Sequence, residues 1–199
     1  RAVCMSNQRQ IGVAMIEHAG DHNGRYPQPF DCSGNWIGYS LTQAVARELE
    51  EYGPASHLDS EDFRSTPWAC PSAVRPPRGK KTWCGTPLFV IDNYTFPVGL
   101  EHHSSYRGSR SPSHLTDPNG PLMVDSVYKW SADPAWGSNH SRGVVDVYGS
   151  YTGLKLDPDG FNQLYTDGSA SWHYMDEIDG GMADGWLMEK PDAKVYWME

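Results

Sequence analysis

Along the first part of the chain, Cys4, Ile11, Ala14, Met15 and His18 fall on one face at helical spacing, with Val3 beside them. Gln8, Arg9, Gln10 and Glu17 fall largely on the rest of the surface, and no proline interrupts the run. The pattern predicts an amphipathic helix. Gly20, Asp21, Asn23 and Gly24 bring it to a stop, and Tyr26-Pro27 opens an extended segment. The apolar stripe is narrow, so the helix needs a sheet or a partner to hold it, with Ile11 and Met15 as the residues that seat it. Ile37, Leu41, Ala44, Val45, Leu49 and Tyr52 repeat the helical period and predict a second helix, ended by Gly53-Pro54. Glu48, Glu50 and Glu51 crowd its last turn, where the helix dipole disfavours acid, so burial of the apolar face must carry it. Leu58 to Phe63 reads as one short helical turn, capped by Asp59 or Ser60.

From Thr86 onward the period shortens. Pro87–Ile91, Tyr94–Val98, Leu122–Asp125, Val144–Tyr148, Gln163–Thr166 and Ala170–Tyr174 read as strands. The last two flank Asp167-Gly168, a two-residue hairpin signal of the type I′ kind that sets the register of the terminal hairpin. Glu101 to Asn119, rich in Ser, His and Pro, reads as an exposed loop. Helices first and strands later give an α+β fold: two helices packed on one face of a mainly antiparallel sheet, with long irregular loops. No internal repeat or domain boundary breaks the chain. Residues 1–199 are expected to form a single domain, with 1–24 the helix and its stop and 86–199 mainly β.

Composition narrows the class. The 199 residues carry a formal charge of −9, which disfavours nonspecific binding to nucleic acid or anionic lipid. Only 38% are hydrophobic, so the eight Trp and eleven Tyr must supply much of the buried area. Trp130, Trp136, Trp172, Trp186 and Trp197 are expected in that core; exposed, near-coplanar rings would instead suit stacking on sugars. No run approaches the roughly 20 apolar residues of a membrane span.

Candidate chemistry is sparse. Cys4, Cys32, Cys70 and Cys84 include no CxxC pair and no zinc spacing. Cys70 and Cys84 bracket a Pro-rich basic loop and read either as one disulfide, contributing about 3 kcal/mol by loop closure, or as two unpaired thiols. A Cys4–Cys32 pair requires the chain to fold back along the helix. Asp157-Pro-Asp159-Gly160 with Asp167 offers oxygen ligands for calcium, although Asp-Pro and Asp-Gly are also ordinary turn formers and no EF-hand ladder follows. Asp176, Glu177, Asp179 and Asp184 read as a solvated loop. His102-His103 with His114 or His140 has no helical HxxxH spacing and reads as loop histidines. There is no Gly-x-Ser-x-Gly elbow, no phosphate-cradling Gly loop and no selectable carboxylate pair, so no enzyme is expected.

The block Cys4-Met-Ser-Asn-Gln-Arg-Gln-Ile-Gly12 followed by Asp21-His-Asn-Gly-Arg-Tyr-Pro27 resembles the type II secretion major pseudopilin-like family, and within it the prepilin-type proteins with an N-terminal cleavage and methylation signal. Trp68-Ala-Cys-Pro-Ser72 and Phe161-Asn-Gln-Leu-Tyr-Thr-Asp-Gly168, ending in Trp172, resemble its later elements, in the family's order. Ser169 stands where the family has His after Asp-Gly, and an insertion from Val144 to Gly160 separates His140 from Asp167. The resemblance implies a pilin-like head and a non-enzymatic, structural subunit. It implies an extracytoplasmic location and an inner-membrane anchor preceding Arg1, through which the protein packs with other pseudopilin subunits and the secretion machinery. It also implies no cofactor other than calcium in a C-terminal loop. A second class, a surface-displayed module binding polysaccharide through the same kind of anchor, fits the same export signal.

Overall fold

A computed structural model describes residues 1–32, 35–37, 40–53, 65–73, 79–91, 93–99, 106–107, 111–125, 127–130, 136–138, 140–141, 158–177, 185–190 and 193–197. The elements run α1 (Ala2–Asp21), β1 (Phe30–Cys32), β2 (Asn35–Ile37), β3 (Ser40–Thr42), α2 (Gln43–Tyr52), β4 (Gly79–Trp83), β5 (Thr86–Val90), β6 (Tyr94–Thr95), β7 (Tyr106–Arg107), β8 (Pro121–Asp125) and β9 (Val127–Trp130). They continue with β10 (Trp136–Ser138), β11 (His140–Ser141), β12 (Pro158–Tyr165), β13 (Ala170–Tyr174), the single turn α3 (Met175–Glu177), β14 (Gly185–Lys190) and β15 (Ala193–Trp197). Every strand pair among the described residues is antiparallel. The architecture is α+β, as the pattern predicts, but the described strands form four separate sheets rather than one. α2 packs on β3 and β5 instead of on the sheet under α1, because Ser40–Thr42 leads into α2 as a strand of its own sheet.

The sheet that matters most runs β11-β12-β8-β6, with β13 on the other edge of β12. One face of α1 lies on β12 and β8, and α2 packs beside it. Ile11, Ala14 and Met15 are fully buried there with Leu41, Leu49, Phe89, Leu122 and Leu164. Gly12 sits at the closest approach: a Cβ on it would run into Leu164. A glycine in mid-helix costs about 0.5–1 kcal/mol relative to alanine, and the close packing it permits is what offsets that loss. Ile11 and Met15, expected to seat the helix, lie buried in this core.

α1 closes as a left-handed turn. The backbone N–H of Gly24 donates to Ala19 at 2.7 Å, with Asn23 and Gly24 at φ of 55° and 82°. The Gly24 position is restricted further, because a Cβ there would enter the His114 ring. Part of the supposed exposed loop is in fact a strap over this exit. The Tyr26 N–H donates to Ser113, the Leu115 N–H donates to Gly24, and Ser111 and Pro112 are buried.

The second helix is shorter than its periodicity suggests. Ile37 belongs to β2 and Leu41 to β3, which pairs with β5. Thr42 begins α2 because its hydroxyl accepts from the Val45 N–H at 3.2 Å. Leu41 still points into the core, since an extended residue just before a cap can bury the same side chain as a helical one. Val144–Tyr148 and Leu58–Phe63 lie outside the described residues.

Candidate functional site

The densest chemistry lies under the N-terminal half of α1. Gln8, predicted on the surface, is fully buried. It shares the inward stripe with Cys4, Ile11 and Met15, at spacings that keep it on their face. Its side-chain amide donates to Asp125 Oδ1 at 3.0 Å. Asp125, the last residue of β8, is also fully buried and accepts three further donors on Oδ2. The Asn162 backbone N–H and side-chain Nδ2 each lie at 2.8 Å, and His140 Nε2 lies at 2.9 Å. A nitrogen that close to a buried carboxylate oxygen carries the shared proton, so His140 Nε2–H is the donor. Its 3.1 Å approach to Asn162 Nδ2 is two donors converging on one acceptor.

Cys70 Sγ lies 3.8 Å from the same His140 nitrogen and is bonded to Cys4. The disulfide therefore joins α1 to the segment before Pro71 across a sequence separation of 66. It replaces the Cys70–Cys84 bridge considered from sequence. Cys84 is itself disulfide-bonded, but not to Cys70. The physical reason is that α1 packs Cys4 against Cys70 with Cα atoms 5.2 Å apart, a natural bridging distance, and both are buried. Cys4, Cys70 and His140 place their ligand atoms within 4.8 Å of one another. With both sulfurs in a disulfide, however, they offer no thiolate to a metal.

Above the cluster, the Arg1 guanidinium lies 4.0 Å over the Trp172 ring and pairs with Asp159 at 3.2 Å. Trp172 meets His140 edge-on. This half-buried ring is therefore engaged by Arg1 and His140; the side chains of Trp130, Trp136, Trp186 and Trp197 lie outside the described residues. Tyr94, fully buried in β6, has its phenol pushed well above the usual value by burial, with the Asp125 carboxylate adding to the effect.

The three acids suggested for calcium do not converge. Asp157 lies outside the described residues. Asp159 lies near the start of β12 and Asp167 in the turn beyond its end, and the extended strand between them holds them about 20 Å apart. Asp167 instead organises the terminal turn. It accepts from the Ser169 N–H at 2.8 Å and from Asn119 Nδ2 at 3.0 Å. The Ser169 side chain and backbone, in that order, hold its carboxyl below the usual range, with a smaller contribution from Asn119. The turn is not type I′. Gly168 N–H donates to Tyr165 and Tyr165 N–H to Ser169, and Gly168 has a φ of 80°, whereas Asp167 is not left-handed. That is a three-residue loop ending in a left-handed glycine, so Gly168 is required and Asp167 acts through its side chain. His102 and His103 lie outside the described residues. His114 is a strap residue: its Nε2–H donates to Asn23 O at 2.6 Å, and its Nδ1 accepts from Thr116.

The cluster joins five pieces of chain at one buried point: α1, the Cys70 segment, β8, β11 and β12. Gln8 escapes a reading of the sequence because a polar residue in a narrow apolar stripe reads as surface, and Asp125 because its place at the end of the Leu122–Asp125 strand does not show what lies over it. The signal that could have found Gln8 was its spacing from Cys4 and Ile11. No protein-family model, curated protein or solved structure matches this chain significantly.

Proposed function

We propose that this chain is the head of a pseudopilin-like structural subunit with a pilin-like fold. It would be displayed outside the cytoplasm in a type II secretion or related envelope filament, where a preceding apolar helix packs with its copies. One observation carries the reading: α1 lies along an antiparallel sheet and is stapled to the rest of the head in its first turn, through Cys4–Cys70, with Gln8–Asp125 one turn below. A filament subunit is loaded through its N-terminal helix, and a covalent and buried polar attachment at the top of that helix resists its being peeled from the head. A buried disulfide also belongs in an oxidising compartment. Val3 and Val13 stand on the outer face of α1, 58% and 52% exposed, where neighbouring subunits would lie. No helix among the described residues is long and apolar enough to cross a membrane.

The test is the reading frame upstream of Arg1. It should encode a short basic leader and about 20 apolar residues in helical continuity with α1. A frame without that stretch would overturn the proposal.

A further inference from the structure

At the other end of α1, away from the buried cluster, two histidines and a glutamate come together. His18 and His22 are four residues apart, so they share one face of the helix end, and their rings stack with centroids 3.8 Å apart. Glu48, from α2, reaches across so that its Oε2 lies 3.1 Å from His18 Nε2 and 3.8 Å from His22 Nε2. All three ligand atoms fall within 4.8 Å of one another. Two atoms each bound at about 2.1 Å to one ion are at most about 4.2 Å apart, and both glutamate–histidine separations are inside that bound.

The surroundings of His22 favour ligation. His22 Nδ1 sits 2.8 Å from the His18 carbonyl. Donation there leaves Nε2 as the bare nitrogen facing Glu48, the outer-shell arrangement that orients a metal-bound histidine. Tyr52 packs edge-on against the His18 ring and donates its hydroxyl to Asp21 at 3.0 Å, which fixes the wall of the site. The His18 side chain is 6% exposed, whereas His22 and Glu48 are 44% and 46% exposed. An ion could therefore enter from solvent and keep water on its remaining positions. The two rings are now within 5° of parallel, so their in-plane lone pairs run side by side. Binding calls for the half-exposed His22 ring to tilt toward Glu48.

We infer that His18, His22 and Glu48 form a binding site for a divalent transition metal of the zinc class, tying the end of α1 to α2. Two imidazoles and one carboxylate suit such an ion better than calcium or magnesium, which prefer all-oxygen sets.

The experiment is calorimetric titration of the intact protein with Zn²⁺, with Co²⁺ absorption as a second readout. One saturable equivalent is expected, with a cobalt spectrum of low coordination number. His22→Ala and Glu48→Gln alter half-exposed side chains and should leave the fold intact. Each should weaken binding by at least about tenfold. Absence of saturable binding would overturn the inference. So would binding unchanged in both variants but abolished by replacing His102 and His103.

Discussion

Two aspartates show how burial decides what a charge is worth in this protein. Asp159 meets Arg1 at 3.2 Å on a partly exposed surface. Such pairs contribute about 0–1 kcal/mol, and the cation–π contact with Trp172 adds a similar amount. Arg1→Ala should therefore lower stability by no more than about 1–2 kcal/mol in urea unfolding. Asp125 is fully buried with four donors aimed at it. Asp125→Ala would strand Gln8, Asn162 and His140 together, and a loss of about 3–5 kcal/mol is expected in the same assay. A loss below about 1 kcal/mol would mean that the cluster does not hold α1 down. Both residues lie on strands, Asp159 on β12 and Asp125 at the end of β8, and only the sheet register places Asp125 under the helix.

Among the elements, the strap over the α1 exit depends on one carboxylate. Asp117 accepts from the Ser113 N–H at 2.7 Å, the Ser113 hydroxyl at 3.2 Å and the His114 N–H at 2.8 Å. The Ser113 backbone bond is the main cause of a lowered pKa, helped by His114 and opposed by some burial. A carboxyl whose folded value lies below its unfolded value contributes stability that is fully present above the unfolded value, near 3.9. That contribution is lost as pH falls through the folded value. Asp117→Asn should therefore melt below the unaltered protein at neutral pH, and the two melting curves should converge below about pH 4. A gap that stays constant across this range would exclude the carboxylate as the strap's fastener. Its polar residues make the strap read as a loop in the sequence. Its order comes from backbone pairing with Gly24 and Tyr26, which composition does not record. The helix–strand boundary at Thr42 was similarly hidden, because Ile37 and Leu41 satisfy a helical period by coincidence while lying on strands.

For the whole molecule, the Cys4–Cys70 bond closes a longer loop than either pairing the cysteine spacing suggests, Cys70–Cys84 or Cys4–Cys32. At a separation of 66 residues, loop closure contributes about 4 kcal/mol, more than the shorter Cys70–Cys84 loop would. The Cys4→Ser, Cys70→Ser double variant should lose stability of that order in urea unfolding. A change under about 1 kcal/mol would show that packing alone fixes α1 on the sheet. Hydrophobic spacing determined that α1 exists with Ile11 and Met15 on its inner face and that β5, β8 and β13 are strands, and the Gly-Pro stop signal that α2 ends at Gly53, because those signals are local. Tertiary structure alone decided which cysteine Cys4 meets, that Gln8 and Asp125 share a buried bond, that Asp159 and Asp167 stand apart, and that His18, His22 and Glu48 converge. Each of those facts depends on how two separately specified elements cross, and the crossing is set by the packing of faces rather than by any residue's neighbours in sequence.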